Sequence, residues 1–335
     1  MTVRILSGAE VERLLGMDDC INAMGEALSC LARGEAMQPL RTMLRLPGSR
    51  GLFGVMPAQV DRPDAFGVKV ISVYPSNEGT RYDSHQGAVL LFEPEHGSLA
   101  AILDATAVTA IRTAAVSGLA TRYLAREDAG DLAILGTGVQ ARTHLEAMMC
   151  VRPVRRVRVW SRHEANRASF RDWASDRFGL AVETPLTARE TVADADLICT
   201  VTSSRTPVLE GVWIAPGAHI NAVGASLPEA RELDTEAVVR SRLYVDRIES
   251  ARNEAGEYLI PLAEGRITDS HIVGELGDLV LGRIPGRGAA EEVTLFKSLG
   301  LAVEDIAAGH LALRAAETVG EGQVIALGGV RDEAV

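Results

Sequence analysis

The sequence predicts an α/β protein in which an antiparallel sheet region precedes a doubly wound parallel sheet. Three observations predict it. Short strands punctuated by Pro and Gly fill the first third of the chain. Regular strand–helix alternation begins after Asp128. A turn, Gly136-Thr137-Gly138-Val139-Gln140-Ala141, follows a buried strand and opens a helix. Adjacent hairpins pair antiparallel, whereas strand–helix alternation is the rhythm of a parallel sheet covered on both faces.

Taken in order, Ser7 and Glu10 form an S-x-x-E capping box ahead of Val11, Leu14 and Leu15. A second helix carries Ile21, Met24, Leu28 and Leu31 on one face. RTMLRL, GLFGVMPA and FGVKVISVYP read as strands, and GAVLLFEPEHGSLAAILD as a hairpin turned at Pro94–Gly97. Residues 105–125 read as a helix rich in Ala, Gly, Ser and Thr, with Arg112 in its middle. An arginine among alanines either snorkels to solvent or holds an anion. Then come DLAILGTG as strand and turn, VQARTHLEAMMCV as helix, VRRVRVWSR as strand and HEANRASFRDWASDRFG as helix. ADLICTVTSS, GAHINAVGA and SRLYVDR supply three more strands. The rhythm runs to about Ile284, Pro285 and Gly286 break it, and residues 291–320 read as a long helical tail interrupted near Gly300.

The bulk numbers narrow the function. A chain of 335 residues suits two domains, and 47% apolar with 24% charged residues can bury a core. A net charge of −11 argues against nonspecific association with nucleic acid or an anionic membrane. Cys20, Cys30, Cys150 and Cys199 form no CxxC pair, as expected of reduced thiols in a cytoplasmic protein. No secretory pattern opens the chain, and no apolar run reaches the roughly 18 residues of a membrane span. The chain holds 32 Arg but only two Lys, Lys69 and Lys297. Lys69 lies in the apolar alternation GVKVISV, where burial without an anion would be costly, so its compact ammonium reads as specifically needed. Lys297 reads as a surface lysine kept by chance.

The G-x-G-x-x-A turn sits in the context that a dinucleotide requires. Gly136 permits the tight turn, Gly138 lets the backbone approach a pyrophosphate on the helix N-terminus, and Ala141 keeps helix and strand close. Val139 and Gln140 begin that helix. The next strand ends Trp160-Ser161-Arg162-His163, with no carboxylate for the ribose hydroxyls. Ser161 and Arg162 suit a 2′-phosphate, so NADP(H) is expected over NAD(H), which stays possible. Thr200, Thr202, Ser203 and Ser226 fall at strand C-terminal ends, where such sheets bind ligands. They are expected at the nicotinamide ribose or amide, unless they make local turn bonds.

With these residues placed, the chain resembles the ornithine cyclodeaminase/mu-crystallin family. The resemblance rests on QPLRT, GVKVISVYPSN, SHQGAVLLFEPEHG, TAIRTAAVSGLAT, GTGVQA, NAVGASLPEARELD, ELGDLVLG and TLFKSLGLAVED, in that order. It implies a Rossmann domain inserted in a discontinuous α+β substrate and dimerisation domain, with subunits pairing as a homodimer through the antiparallel sheet. The expected boundaries are 1–125 for the first part of the substrate domain, 126–305 for the Rossmann domain, and 306–335 for the returning helix. By resemblance, Arg41 of QPLRT and Lys69 hold a substrate carboxylate, and Arg112 lies where cofactor and substrate meet. Leu299 is expected at the substrate. Ser84, Thr113, Val223, Ala225 and Ser298 are expected at the cofactor.

One position departs from the cyclodeaminase pattern, which reads G-x-D-x-P with the Asp as acid/base. Here it reads Gly224-Ala225-Ser226-Leu227-Pro228. A serine hydroxyl is no base near neutral pH without an activating partner. The motif is similar to that of the ketimine reductase branch, which implies NADPH-dependent reduction of cyclic ketimine carboxylates to L-amino acids. Lys69, His85 and Glu275 are the candidates to supply the proton. The other readings are a reductase or dehydrogenase of acyclic 2-imino acids, an ornithine cyclodeaminase, and a crystallin-like binder of NADPH without turnover. No metal site is expected.

Overall fold

The computed structural model describes residues 1–77 and 79–328; residues 329–335, the end of the expected returning segment, lie outside the described residues. In chain order the elements are β1 (Thr2–Leu6), α1 (Gly8–Leu14), α2 (Met17–Arg33), β2 (Ala36–Met37), β3 (Thr42–Arg45), β4 (Leu52–Asp61), β5 (Asp64–Val73), β6 (His85–Phe92), β7 (Leu99–Asp104) and α3 (Ala105–Leu124). There follow β8 (Asp131–Leu135), α4 (Val139–Val151), β9 (Arg156–Trp160), α5 (Glu164–Phe178), β10 (Val182–Glu183), α6 (Ala188–Val192), β11 (Leu197–Thr200), β12 (His219–Ala222), α7 (Thr235–Val239) and β13 (Ser241–Val245). The last are α8 (Ile248–Glu254), α9 (Gly256–Ala263), β14 (Ile272–Glu275), α10 (Leu276–Val280), β15 (Val293–Lys297), α11 (Ala302–Val319) and β16 (Gln323–Ala326). Contacts divide the chain into two compact units: Met1–Arg112 joined by the chain from Leu301 onward, and Thr113–Gly300.

The first unit holds a sheet in the order β16-β1-β7-β6-β5-β4-β2, with β3 also paired to β4. The expected hairpin is present, β6 and β7 pairing antiparallel with Gly97 at φ +70° in the turn. So is the capping box, in which the Ser7 amide donates to Glu10 Oε2 at 2.8 Å. β1 and β16 were not foreseen: each is a run of only four or five residues, too short for an alternation to stand out. The side-chain period of two divides β5 into two faces. Ala65, Gly67, Lys69 and Ile71 are buried, while Phe66, Val68 and Val70 are half-buried on the opposite face. α11 covers the buried face closely. A Cβ on Gly67 would come 3.0 Å from Ile306 Cδ1, and one on Gly309 would come 3.3 Å from Val89 Cγ1.

The second unit holds a parallel sheet ordered β10-β9-β8-β11-β12-β15-β13-β14. This corrects one expectation. VTLFK, assigned above to a helical tail, is β15, and it lies inside the sheet between β12 and β13. All five of its residues are buried. A short apolar run of this kind fits a core strand or a buried helix equally well by periodicity. α11 begins only at Ala302, after Gly300 at φ +83°. The sheet register places Leu135, Thr200, Ala222, Lys297 and Val245 in one row at the strand C-terminal ends.

Candidate active site

In the first unit, four charged side chains meet with almost no exposure. Lys69 is 2% exposed, Arg112 4%, and Glu304 and Asp305 0%. Lys69 Nζ lies 3.0 and 3.2 Å from the two Asp305 oxygens. Arg112 donates from Nε to Asp305 Oδ1 at 2.9 Å and from Nη1 to Glu304 Oε2 at 2.7 Å. Two cations thus balance two anions, the condition under which burying charge is tolerable. Burial pulls the Lys69 pKa down to about 8, and the Arg112 charge adds to the fall, although Asp305 opposes it. For Arg112, burial favours proton loss, but Asp305 and Glu304 outweigh it and the net direction is up.

The cluster depends on local choices made far apart in sequence. The strand period turns Lys69 toward α11, and Glu304 and Asp305 stand in the first turn of that helix. There the helix dipole favours negative charge. Gln38 of the QPLRT segment accepts from the Val303 amide at 3.0 Å, tying that segment to the α11 N-terminus. Arg41, three residues on, is half-buried just before β3. His85 begins β6; its Nδ1 lies 2.9 Å from Ser84 Oγ, and its carbonyl accepts from Thr106 Oγ1. Burial and the Lys69 charge both lower its pKa, which shrinks the protonated fraction that could serve as an acid.

In the second unit, the turn after β8 meets the demands of a dinucleotide. Gly136 has φ +123°, and a Cβ there would stand 2.7 Å from the Val201 carbonyl oxygen. Gly138, by contrast, has nothing within 4 Å of its would-be Cβ, so the backbone is open to close approach. Gly138 also caps α4 without any side-chain hydrogen bond. That leaves first-turn amides at Val139 and Gln140 suited to a pyrophosphate. At the β9 tip, Ser161 is half-buried and Arg162 exposed. Ser161 Oγ donates to the His163 carbonyl at 3.1 Å.

The hydroxyls at the strand ends behave otherwise than expected. Thr200 Oγ1 donates to Glu232 Oε2 at 2.9 Å, and Thr202 Oγ1 to Glu232 Oε1 at 2.7 Å. They face a buried carboxylate of this chain. Ser203 is exposed, and Val223 and Ser226 are half-buried in the turn after β12, where Ala225 is buried. Ser298 and Leu299 are buried beyond β15. The Leu299 and Gly300 amides donate to Asp246 Oδ2 at 2.6 and 2.8 Å. Glu275 Oε1 accepts from the Ile248 amide at 2.8 Å. Burial raises the Glu275 pKa although that amide opposes the rise. Thr113, the first residue of this unit, is buried within α3.

The sequence matches the Ornithine cyclodeaminase/mu-crystallin family over residues 1–317. The chain belongs to this family. Ketimine reductase mu-crystallin of Mus musculus is 43% identical over 278 residues, covering 83% of this chain and 85% of the relative. A Delta(1)-pyrroline-2-carboxylate reductase of Bacillus cereus is 35% identical over 303 residues, covering 90% and 93%. Among solved structures, the Delta(1)-pyrroline-2-carboxylate reductase of Thermococcus litoralis, in complex with NADH and L-proline, superposes with a TM-score of 0.93. It is 39% identical and covers 96% of this chain and 99% of that one.

Within this family member, five buried charged residues escaped the sequence reading. Glu304, Asp305 and Glu232 lie inside motifs quoted above, yet a carboxylate in AVED or RELD carries no local sign of its partner. Glu257 lies in no motif. Lys297 did carry a signal, as one of two lysines, but its surface assignment is wrong. It is 0% exposed, and its Nζ stands 3.2 Å from Glu257 Oε2.

Proposed function

We propose that this protein is an NADPH-dependent reductase of cyclic ketimine carboxylates, of the Δ1-pyrroline-2-carboxylate or Δ1-piperideine-2-carboxylate type. It is an oxidoreductase acting on carbon–nitrogen double bonds. The observation that carries the reading is the buried Lys69–Asp305–Arg112–Glu304 cluster, in a chain with serine at position 226. The bonds within the cluster use Arg112 Nε and Nη1, so a carboxylate can still bind at Nη2 and at an unused Lys69 proton. Arg41 joins them as a carboxylate-binding group.

Charge balance selects the substrate form. The cluster is neutral before binding, counting two cations and two anions. An imino acid with its carboxylate ionised and its nitrogen protonated adds no net charge. A deprotonated imine would add one anion, which the half-buried Arg41 alone would have to balance. The protonated imine is also the better hydride acceptor, since its charge is neutralised in the transition state. The nicotinamide, when bound, supplies the hydride to the imine carbon. Lys69, with its pKa near 8, holds a proton near neutral pH and can return one to the nitrogen. None of this needs a base at Ser226, because the ring is closed and ammonia lost before the substrate binds.

The first unit is thus the substrate part and the second the cofactor part. A homodimer through the outer sheet face fits the half-buried Phe66, Val68, Val70, Leu90 and Phe92, with the Phe66 and Phe92 rings stacked at 5.7 Å. The 2′-phosphate falls to Ser161 and Arg162. The NADH in the Thermococcus relative keeps NADH as the second reading of the cofactor. The test is steady-state oxidation of NADPH and of NADH with both cyclic imines, with pyruvate or oxaloacetate plus ammonia, and with ornithine. The proposal expects NADPH with a cyclic imine to give the highest kcat/KM. Faster acyclic substrates, or release of ammonia from ornithine, would overturn it.

A further inference from the structure

Lys297, Glu257 and Glu232 have no place in the reaction as written, yet all three are fully buried beneath the row where the parallel strands end. Their bonds connect into a chain. Lys297 Nζ pairs with Glu257 Oε2 at 3.2 Å, and Glu257 Oε1 accepts from the Glu232 backbone amide at 2.9 Å. The Glu232 carboxylate then takes four donors. Oε1 accepts from the Thr202 amide at 2.6 Å and the Thr202 hydroxyl at 2.7 Å. Oε2 accepts from the Gly224 amide at 2.7 Å and the Thr200 hydroxyl at 2.9 Å.

This arrangement joins the tips of two neighbouring strands through one side chain. Thr202 follows β11 and Gly224 follows β12, and each gives its amide to a different oxygen of the same carboxylate. The approach is close enough that a Cβ on Gly224 would lie 2.1 Å from the Thr202 carbonyl oxygen, so no other residue fits. Lys297 completes the device from the β15 side by donating to the carbonyls of Ala225 and, at 3.3 Å, Ala222. A trans peptide points its C=O and the following N–H in opposite directions. Turning the Ala225 carbonyl toward Lys297 therefore turns the Ser226 amide away from it. A lysine suits this task better than an arginine, because its compact charge can donate to two carbonyls while it pairs electrostatically with a carboxylate.

We infer that Lys297, Glu257 and Glu232 are positioning residues that fix the Thr200–Thr202 and Ala222–Ser226 tips as a rigid shelf for the nicotinamide half of the cofactor. The inference rests on the cofactor reading above, in which ligands sit outside the carboxyl ends of the strands. It adds that the two strand-end threonines serve the cofactor through Glu232 rather than by contact. The shelf meets the Gly136 end of the pyrophosphate turn at Val201, but its bonds to Glu232 come from Thr200, Thr202 and Gly224, so loss of those bonds falls mainly on the nicotinamide half of the cofactor.

The experiment compares two ligands by calorimetry, NADPH and adenosine 2′,5′-bisphosphate, which lacks the nicotinamide; NADH and ADP form the matching pair if the protein prefers NADH. Glu232→Gln puts an NH2 against donors. It should weaken NADPH about tenfold while leaving the bisphosphate within about twofold, since losing one charge-assisted bond is worth about that factor. The double variant Lys297→Met with Glu257→Gln removes the ion pair with no change of net charge, and should give the same selective loss if Glu232→Gln does not fold. Equal weakening of both ligands, or unchanged NADPH affinity, overturns the inference. Because the readout is binding, failure to reduce cyclic imines would sink the proposed function and leave this result to stand or fall alone.

Discussion

The two lysines of this chain sit in buried clusters of opposite construction. Around Lys69 the partners are side chains: one carboxylate shared with Arg112, and a second on Arg112 alone. Around Lys297 the partners are mostly backbone, two carbonyls held directly and further amides reached through Glu257 and Glu232. A side-chain cluster can exchange a partner for an incoming anion without unmaking the fold. A cluster built into strand tips cannot, because its bonds are the conformation of those tips. The first is therefore suited to chemistry and the second to geometry.

Substitutions can break that contrast. The largest effect is expected from Lys69→Ala, which should lower kcat/KM for the imine about a thousandfold, the loss typical of a donor aimed at developing charge, while dinucleotide affinity stays unchanged. A parallel loss of dinucleotide binding would erase the distinction between the clusters. Next comes Arg162→Asp, which would put a repelling charge in place of the proposed 2′-phosphate partner and should shift the NADPH-to-NADH preference about a hundredfold toward NADH. Unchanged preference would remove the 2′-phosphate assignment. Gly136→Ala forces a side chain into φ +123° and against the Val201 carbonyl. A strain of about 1–3 kcal/mol should reduce affinity for both cofactor halves together, unlike the selective loss expected at Glu232.

The smallest effect sharpens the comparison through pH. Burial sets the Lys69 pKa near 8, below its ordinary value. The ammonium is therefore present below pH 8 and lost as pH rises through it, so kcat/KM should fall on an alkaline limb near pH 8. The stability contribution runs the other way. Between about 8 and the ordinary lysine value the unfolded chain holds the extra proton, so this group makes the fold more stable as pH rises through that window. Lys69→Arg should move the limb upward, because a guanidinium keeps its proton. Asp305→Asn should move it downward, since the Asp305 charge supports the ammonium. A limb indifferent to both changes would show that Lys69 is not the titrating group.

Much of the architecture was legible because its signals are local. The capping box at Ser7 and Glu10, the turn at Gly97 and the Gly136 turn each occupy a few consecutive residues, and each appears where the pattern put it. β15 was misread for the opposite reason: within a fully buried strand nothing alternates, so VTLFK looks the same as a buried helical turn. Lys297, read as a surface lysine kept by chance, lies instead in that strand in the middle of a parallel sheet and is fully buried.

The sequence alone determined that an antiparallel region precedes a strand–helix alternation, and it determined the open glycine turn, the absence of a carboxylate at the β9 tip, and the serine at position 226. These follow from residue type and spacing over a handful of positions, where backbone geometry leaves few choices. Only the tertiary structure decided which charges meet. Lys69 and Asp305 are 236 residues apart, and Arg112 and Glu304 are 192 apart. Their pairing depends on α11 covering one face of β5 rather than the other. A pairing between residues this far apart has no sequence period; this one forms because packing excludes water and brings the four charges together.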